Sequence, residues 1–149
     1  MTALAEPTAV DSSVLVAALA SWHESHEPAR DTVERAMDSA GGLVLPADAL
    51  VEAYSVLTRL PAPHRLSPGD ALRLLDESFS GTRTVALTAS ETWRLVRTLA
   101  DGQIAGGAVY DARIVAAAVK GGASRILTLN ARHFTRLAPD GLAVVVPAL

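Results

Sequence analysis

Four side chains that can ligate a hard metal ion border apolar stretches of this 149-residue chain: Asp11, Glu52, Asp111 and Asn130. Burying an ionised carboxylate without a partner is costly, so three carboxylates beside core-forming segments call for a compensating charge. A divalent cation supplies one. Mg²⁺ or Mn²⁺ binds carboxylate and amide oxygens together with water, and it activates water against a phosphodiester.

Three of these residues also have a purely structural interpretation. Asp11 directly follows a short apolar run and precedes a helix, which is the position of an N-cap. Asp111 stands in a first helical turn, where the helix dipole favours a carboxylate by about 0.3–1 kcal/mol. Asn130 follows a strand and suits a turn. Taken singly, each residue leaves both interpretations open.

Glu52 lies on a helix predicted over about Ala47–Leu60. Asp48, Glu52, Ser55 and Arg59 are three or four residues apart and therefore share one helical face. That polar face is either a solvated stripe with weak ion pairing or the wall of an acidic pocket in which Glu52 is a ligand.

Composition limits the classes of protein that fit. Half of the residues are hydrophobic and only 4% are aromatic, so Ala, Val, Leu and Ile must build the core of one domain, residues 1–149. The chain has no cysteine, which excludes disulfides, thiolate zinc sites and cysteine nucleophiles and fits a reducing, cytoplasmic setting. No apolar run is long enough to predict a membrane span.

The net charge of −3 gives no global attraction to nucleic acid. Lys120 is the only lysine, so RNA contacts would come from a local arginine patch. The arginines that flank the proposed ligands in sequence are either RNA contacts or ordinary surface residues; they are Arg59, Arg113, Arg132 and Arg136.

Short apolar runs alternate with helical stretches, a pattern typical of an α/β fold. The absence of polar alternation predicts a parallel sheet whose strands are buried on both faces. Right-handed crossovers then give a three-layer sandwich in which ligands gather at the carboxyl ends of strands. The predicted strands are Thr8–Val10, Leu43–Leu45, Thr84–Leu87, Arg125–Thr128 and Ala143–Val146.

Helix boundaries are also marked in the sequence. Ser67 predicts a cap before proline at the first helical position, and Thr88 with Glu91 has the spacing of a capping box. A helix over Val109–Lys120 ends at two glycines, and its run of alanines permits close approach to the sheet. Such an approach would bring the start of this helix, with its carboxylate, towards the strand ends.

In their order along the chain, these residues resemble a PIN domain, and more narrowly a VapC-type toxin nuclease. The resemblance covers about Ala9–Phe134. Its most telling segments are Asp11–Val14, Glu52–Arg59, Asp111–Ala118 and Leu127–Phe134.

The resemblance implies a five-stranded parallel sheet and a Mg²⁺- or Mn²⁺-dependent endoribonuclease. It further implies a homodimer that a cognate antitoxin neutralises. Many relatives carry a fourth acidic residue after the fourth strand, where this chain has Asn130 and His133. This difference weakens the case for a second tightly held metal ion, and one ion held by Asp11, Glu52 and Asp111 remains compatible with the sequence; the number of ions stays open.

The hypothesis assigns roles to the remaining residues. Ser13 would orient Asp11, Thr128 would support the site, and Asn130 would position the attacking water. Cleavage would leave a 5′-phosphate and a 3′-hydroxyl, as the resemblance suggests. Without metal, the three carboxylates are expected to raise one another's pKa.

Three other functions are compatible with parts of this pattern. A phosphoacceptor receiver domain also places Asp at strand ends, but it needs a lysine near the site, and Lys120 closes a helix. A catalytically idle PIN-like module that binds protein is a second alternative, and a PIN nuclease outside any toxin–antitoxin pair is a third. His133 is either structural or a contact to metal or substrate, and Trp22 and Trp93 are predicted core or interface residues.

Overall fold

A computed structural model describes residues 6–148, so the predicted domain extends past the described residues at both ends. The strands are β1 (Thr8–Val10), β2 (Leu43–Pro46), β3 (Arg83–Val85), β4 (Arg125–Leu127) and β5 (Ala143–Val145). The helices are α1 (Ser12–Leu19), α2 (His26–Asp38), α3 (Ala47–Arg59), α4 (Pro68–Phe79), α5 (Ala89–Asp101), α6 (Ala108–Lys120) and α7 (Ala131–Thr135).

The five strands form one parallel sheet in the order β3-β2-β1-β4-β5. The chain moves outward from β1 to β3 and then returns through β4 to β5. Right-handed crossovers therefore place α1 to α4 on one face and α5 to α7 on the other, and the helices of each set contact one another. The predicted three-layer α/β sandwich is confirmed.

The prediction that every strand is buried on both faces was wrong for three strands. β1 and β2 are buried throughout, whereas β3 begins with exposed Arg83 and Thr84, β5 begins with exposed Ala143, and the interior strand β4 begins with exposed Arg125. For β3 and β5, strand order gives the reason, because an outer strand has only one neighbour. β3 also ends at Val85, two residues before the predicted end.

The predicted helix signals are present in the structure. The Ser67 side chain accepts a hydrogen bond from the backbone N–H of Asp70, and Thr88 and Glu91 form a reciprocal capping box. Lys120 donates a 2.6 Å hydrogen bond to Glu91, which lowers the pKa of Glu91 to about 2. That contact links α6 to α5 and occupies the lysine that a receiver domain would need.

The predicted turn at Asn130 leads directly into a short helix, α7, which includes His133 and Phe134. Trp22 and Trp93, predicted as core or interface residues, do not lie in the core, since 46% and 65% of their surfaces are exposed. Trp22 instead stacks on His64, with ring centroids 4.1 Å apart.

The last turn of α6 lies against the sheet. A Cβ on Gly121 would come within 2.6 Å of Cγ1 of Val44 in β2, closer than packing allows. Ala117 and Ala118 are buried on the same helix, so the run of small residues does permit the predicted close approach. Within residues 6–148, no helix is both long and apolar enough to cross a membrane.

Candidate active site

Asp11 lies at the carboxyl end of β1, where its carboxylate is almost fully buried. Oδ1 accepts hydrogen bonds from the Ser13 hydroxyl at 2.6 Å and the Val14 backbone N–H at 3.2 Å, and Oδ2 accepts from the Thr128 hydroxyl at 2.6 Å. The bond from Val14 makes Asp11 the N-cap of α1. The structural role considered from sequence is therefore real, and it coexists with a place at the ligand-binding edge of the sheet.

Ser13 and Thr128 tie the ends of β1 and β4 together around this carboxylate. Besides donating to Asp11, Ser13 accepts from the backbone N–H of Leu129 at 3.0 Å, and Thr128 accepts from that of Asn130 at 2.9 Å. Each hydroxyl thus donates one hydrogen bond and accepts another. The rotamer of Asp11 is fixed by groups from both neighbouring strand ends.

Glu52 reaches the same edge from α3. The hydroxyl of Ser12, the residue after Asp11, donates a 2.7 Å hydrogen bond to Oε1 of Glu52. Sequence reasoning did not select Ser12 as a site residue. Two features of the sequence could have indicated Ser12: it carries a hydroxyl group, and it directly follows Asp11. The local sequence does not show that its hydrogen-bond partner is Glu52, forty positions away.

Asp111, in the first turn of α6, faces Nδ1 of His133 in α7 at 3.7 Å. Both residues line an open cavity of about 560 Å³ together with Arg132 and Arg136. His133 thereby places an imidazole ring directly beside the Asp111 carboxyl group. Of the two interpretations of His133, the one that puts it at the site agrees with this geometry.

The pKa values of two carboxyl groups are raised. Burial raises the pKa of Asp11, while hydrogen bonds from Ser13 and Thr128 oppose the shift. Burial also raises the pKa of Asp111, His133 opposes it, and the negative charge of Glu52 adds to it. Desolvation is therefore the largest cause of the raised pKa at both Asp11 and Asp111, and the expected repulsion from another carboxylate adds to it only at Asp111.

These residues form an acidic row at one end of the sheet: Ser12 links Asp11 to Glu52, the charge of Glu52 acts on Asp111, and Asp111 faces His133. Across residues 6–148, no three His, Asp or Glu side chains lie close enough to hold one ion together. Mg²⁺ normally needs only one or two carboxylates because it retains several waters. Two carboxylates, such as Glu52 and Asp111, would be sufficient for such an ion.

The four candidate arginines differ in their surroundings. Arg132 and Arg136 line the cavity beside Asp111, and the positive charge of Arg136 lowers the pKa of that carboxyl group. Arg113 donates a 3.0 Å hydrogen bond to Asp48, which joins α6 to α3. Arg59 is exposed near the end of α3.

Asn130 lies directly before α7 with an exposed side chain that does not cap the helix. The backbone N–H of Asn130 donates a hydrogen bond to the Thr128 hydroxyl, and this bond fixes the backbone from which the Asn130 side chain extends at the end of β4. The turn-capping interpretation of this residue is thereby weakened.

Known proteins share the sequence pattern and the fold of this chain. The family model described as "PIN domain" matches residues 8–139. The chain belongs to the PIN-domain family. Ribonuclease VapC40 of Mycobacterium tuberculosis is 41% identical over 124 residues, which cover 83% of this chain and 87% of the relative. Ribonuclease VapC27 of the same species is 40% identical over 142 residues, covering 95% and 98%.

A solved structure extends the likeness to the fold. The crystal structure of Mycobacterium tuberculosis VapC20, a sarcin-ricin loop cleaving toxin, matches with a TM-score of 0.61. The match covers 80% of this chain and 86% of that one at 18% identity, which shows a shared fold alone. The resemblance to VapC-type PIN domains inferred from the residue pattern is confirmed.

Proposed function

We propose that this protein is a Mg²⁺- or Mn²⁺-dependent endoribonuclease toxin of the VapC type that hydrolyses RNA phosphodiesters. The observation that carries the proposal is the row of acidic residues at the carboxyl edge of the sheet, within a chain about 40% identical to two ribonucleases. A buried carboxylate and two half-buried ones at such an edge favour a cation over an uncharged ligand.

Glu52 and Asp111 would hold the ion directly, and Asp11 would hold it through one of the waters that Mg²⁺ retains. Oε1 of Glu52 is oriented by Ser12, which leaves Oε2 for a ligand, and Oδ2 of Asp11 retains acceptor capacity beside its bond from Thr128. A bound divalent cation lowers the pKa of water and stabilises charge on a scissile phosphate.

The chain's own residues would bind and orient the substrate. Arg132 and Arg136 would hold phosphates in the cavity next to Asp111, where guanidinium groups can make paired hydrogen bonds to phosphate oxygens. Asn130 would position the attacking water with its amide oxygen. Arg113 would act indirectly, because its bond to Asp48 fixes the separation of α6 and α3.

We infer three further properties from the VapC relatives: a cognate antitoxin, a homodimer and action in the cytoplasm, where the RNA substrate is found. Large exposed apolar side chains are consistent with protein interfaces, since contiguous patches of this kind mark interaction sites. They include Val51 and Leu72 on α3 and α4, and Trp93 and Val96 on α5.

The direct test is incubation of purified, antitoxin-free protein with structured RNA in Mg²⁺, in Mn²⁺ and in EDTA. We expect cleavage with either ion, none in EDTA, and recovery when the ion is restored. An Asp11→Asn protein prepared identically controls for contaminating nuclease. Metal-independent cleavage, or equal cleavage by that variant, would contradict the proposal.

A catalytically idle PIN-like module remains the second candidate, because His133 and Asn130 stand where relatives carry an acid and no three carboxylates cluster in residues 6–148. Calorimetric titration with Mn²⁺ separates the two, since an idle module should show no specific site. A nuclease outside any toxin–antitoxin pair would lack a small neighbouring antitoxin gene.

A further inference from the structure

A salt bridge joins the two helices that carry Glu52 and Asp111. Nη2 of Arg113, on α6, donates a 3.0 Å hydrogen bond to Oδ1 of Asp48, on α3. The two residues are 65 positions apart in the chain, so this bond is a tertiary contact. Among the ion pairs that arginines form within residues 6–148, it is the one that connects two different helices.

The salt bridge lies within about one helical turn of both carboxylates. Glu52 follows Asp48 by four residues on the same face of α3, about 6 Å along the helix axis. Asp111 precedes Arg113 by two residues on α6, about 3 Å along the axis. A change in the distance between α3 and α6 at the salt bridge therefore also changes the spacing of the two carboxylates.

Two opposite electrostatic forces act between these helices. The negative charge of Glu52 contributes to the raised pKa of Asp111, so the two carboxylates repel each other across α3 and α6. The attraction between Asp48 and Arg113 acts across the same two helices in the opposite sense. In the metal-free protein, the salt bridge opposes the separation that the carboxylate repulsion favours.

The salt bridge is too exposed to contribute much to the stability of the fold. The exposed fraction of the side chain is 46% for Arg113 and 38% for Asp48, and ion pairs with this exposure have small effects on unfolding. Buried residues such as Ile114 and Ala118 attach α6 to the core instead. The salt bridge can control the spacing of the two helices at the acidic row without being needed for folding.

We propose that the Asp48–Arg113 salt bridge is a clamp that keeps the two proposed ligands at a fixed spacing and thereby selects Mg²⁺ over Ca²⁺. This inference rests on the proposed metal-dependent function. Mg²⁺ demands near-ideal octahedral geometry, whereas Ca²⁺ accepts flexible arrangements of its ligands. A rigid pair of carboxylates favours Mg²⁺, and a loosened pair loses that preference. Asp48 and Arg113 act through the ligands, so they are positioning residues.

The sign of the effect of removing Arg113 separates a clamp from simple electrostatics. A positive charge close to the site repels cations, so its removal would by charge alone tighten the binding of every divalent ion. Loss of the clamp has the opposite effect, because the freed carboxylates move apart. It weakens the binding of Mg²⁺ most, since Mg²⁺ tolerates the least distortion.

The test measures ion binding by the whole protein. Electron paramagnetic resonance of free Mn²⁺ gives the affinity for Mn²⁺, and displacement by Mg²⁺ or by Ca²⁺ gives the other two affinities. In Arg113→Gln we expect the affinity for Mg²⁺ to fall about tenfold and that for Ca²⁺ to fall less than about threefold. Arg113→Lys should stay close to the parent, because one hydrogen bond to Asp48 is within the capacity of an ammonium group.

A matched control and a double-mutant cycle assign the effect to this pair. Arg73→Gln removes the arginine of the exposed Arg73–Asp70 pair within α4 and should leave all three affinities unchanged. Asp48→Asn should weaken Mg²⁺ binding, and the double variant with Arg113→Gln should be no weaker than Asp48→Asn, since no salt bridge is left to break. The Tm of each variant should lie within about 4 °C of the parent.

Three results would overturn the clamp: unchanged or tighter Mg²⁺ binding in Arg113→Gln, equal weakening of Mg²⁺ and Ca²⁺, or additive effects in the cycle. If the parent binds Mn²⁺, each of these results refutes the clamp and leaves the proposed metal-dependent function standing. A parent protein that binds no Mn²⁺ refutes the proposed function itself and the clamp with it.

Discussion

The Ser12 hydroxyl donates a 2.7 Å hydrogen bond to Oε1 of Glu52, joining the first residue of α1 to the middle of α3. This bond is the direct link between the Asp11 end of the acidic row and the Glu52–Asp111 end. Without it, a flexible glutamate near another carboxylate would turn away to reduce repulsion. Ser12 is thus a positioning residue for the proposed metal ligand.

We predict that Ser12→Ala lowers the apparent affinity for Mn²⁺ more than it lowers the stability of the fold. Loss of one hydrogen bond should lower the free energy of unfolding by about 0.5–1.5 kcal/mol. Groups that orient metal ligands typically change metal affinity by about 10–100-fold, so the Mn²⁺ concentration for half-maximal cleavage should rise by about that factor. Saturating Mn²⁺ should restore most activity. Ser90→Ala, an exposed serine on α5, is the matched control and should leave the Mn²⁺ curve in place.

Asp111→Asn should abolish RNA cleavage, with a loss on the order of 100-fold or more, because the amide removes a negative charge where the cation would bind. The protein should remain folded, since α6 keeps its packing against the sheet. Cleavage rates and thermal unfolding of the same preparation check both statements. Asp101→Asn, exposed at the end of α5, should behave as the parent. Full metal-dependent activity in Asp111→Asn would remove that residue from the site.

Replacing Arg132 or Arg136 by Ala should weaken RNA binding and flatten its salt dependence. Each lost phosphate contact on a single strand lowers the slope of log K against log salt by roughly 0.7. Binding is measured over a range of salt concentrations in EDTA. Arg97→Ala, an exposed arginine on α5, tests for a general charge effect. An unchanged slope in both cavity variants would show that these arginines do not contact phosphate.

Asp11 should give the protein a measurable pH dependence of stability in EDTA. Burial raises its pKa above 3.8 in the folded state, so between 3.8 and the raised value the folded chain binds more protons than the unfolded chain. Its contribution to the free energy of unfolding therefore falls as the pH rises through that window. Urea unfolding of Asp11→Asn should lack this fall, and parallel pH profiles for the two proteins would refute the assignment.

Mn²⁺ should raise the Tm of the parent protein at neutral pH, because a ligand that binds only the folded state stabilises it. At a free concentration of about 100 times Kd the gain is about 2.7 kcal/mol. EDTA should reverse the shift. Glu52→Gln should reduce it strongly, since the amide carries no charge. A shift that persists unchanged in Glu52→Gln would place the bound ion elsewhere.

Local signals in the sequence were enough to predict much of the fold. Asp11 was placed at a strand end because a buried apolar run precedes it, and helix starts at Ser67 and Thr88 were visible because capping acts over three residues. These features depend on neighbours along the chain. The same holds for the alanines of α6, whose small volume predicted its close packing.

Long-range relationships were not predictable in the same way. Which strands form the edges depends on sheet order, and the exposure of Arg83 and Thr84 follows from it. The partners of Ser12 and Arg113 lie forty and sixty-five positions away, beyond any local pattern. Arg113 therefore looked equivalent to Arg132, although only Arg132 lines the cavity beside Asp111.

Gly121 packs so closely against Val44 that no side chain can be added there without moving α6. Any side chain there would lift the end of α6 away from the sheet, and a rigid helix passes that displacement to its other end, where Asp111 lies. A methyl group added at Gly121, three turns from Asp111, would then reduce activity as a substitution in the acidic row does. The cause would be the displacement of Asp111 by α6, because Gly121 itself takes no part in the chemistry.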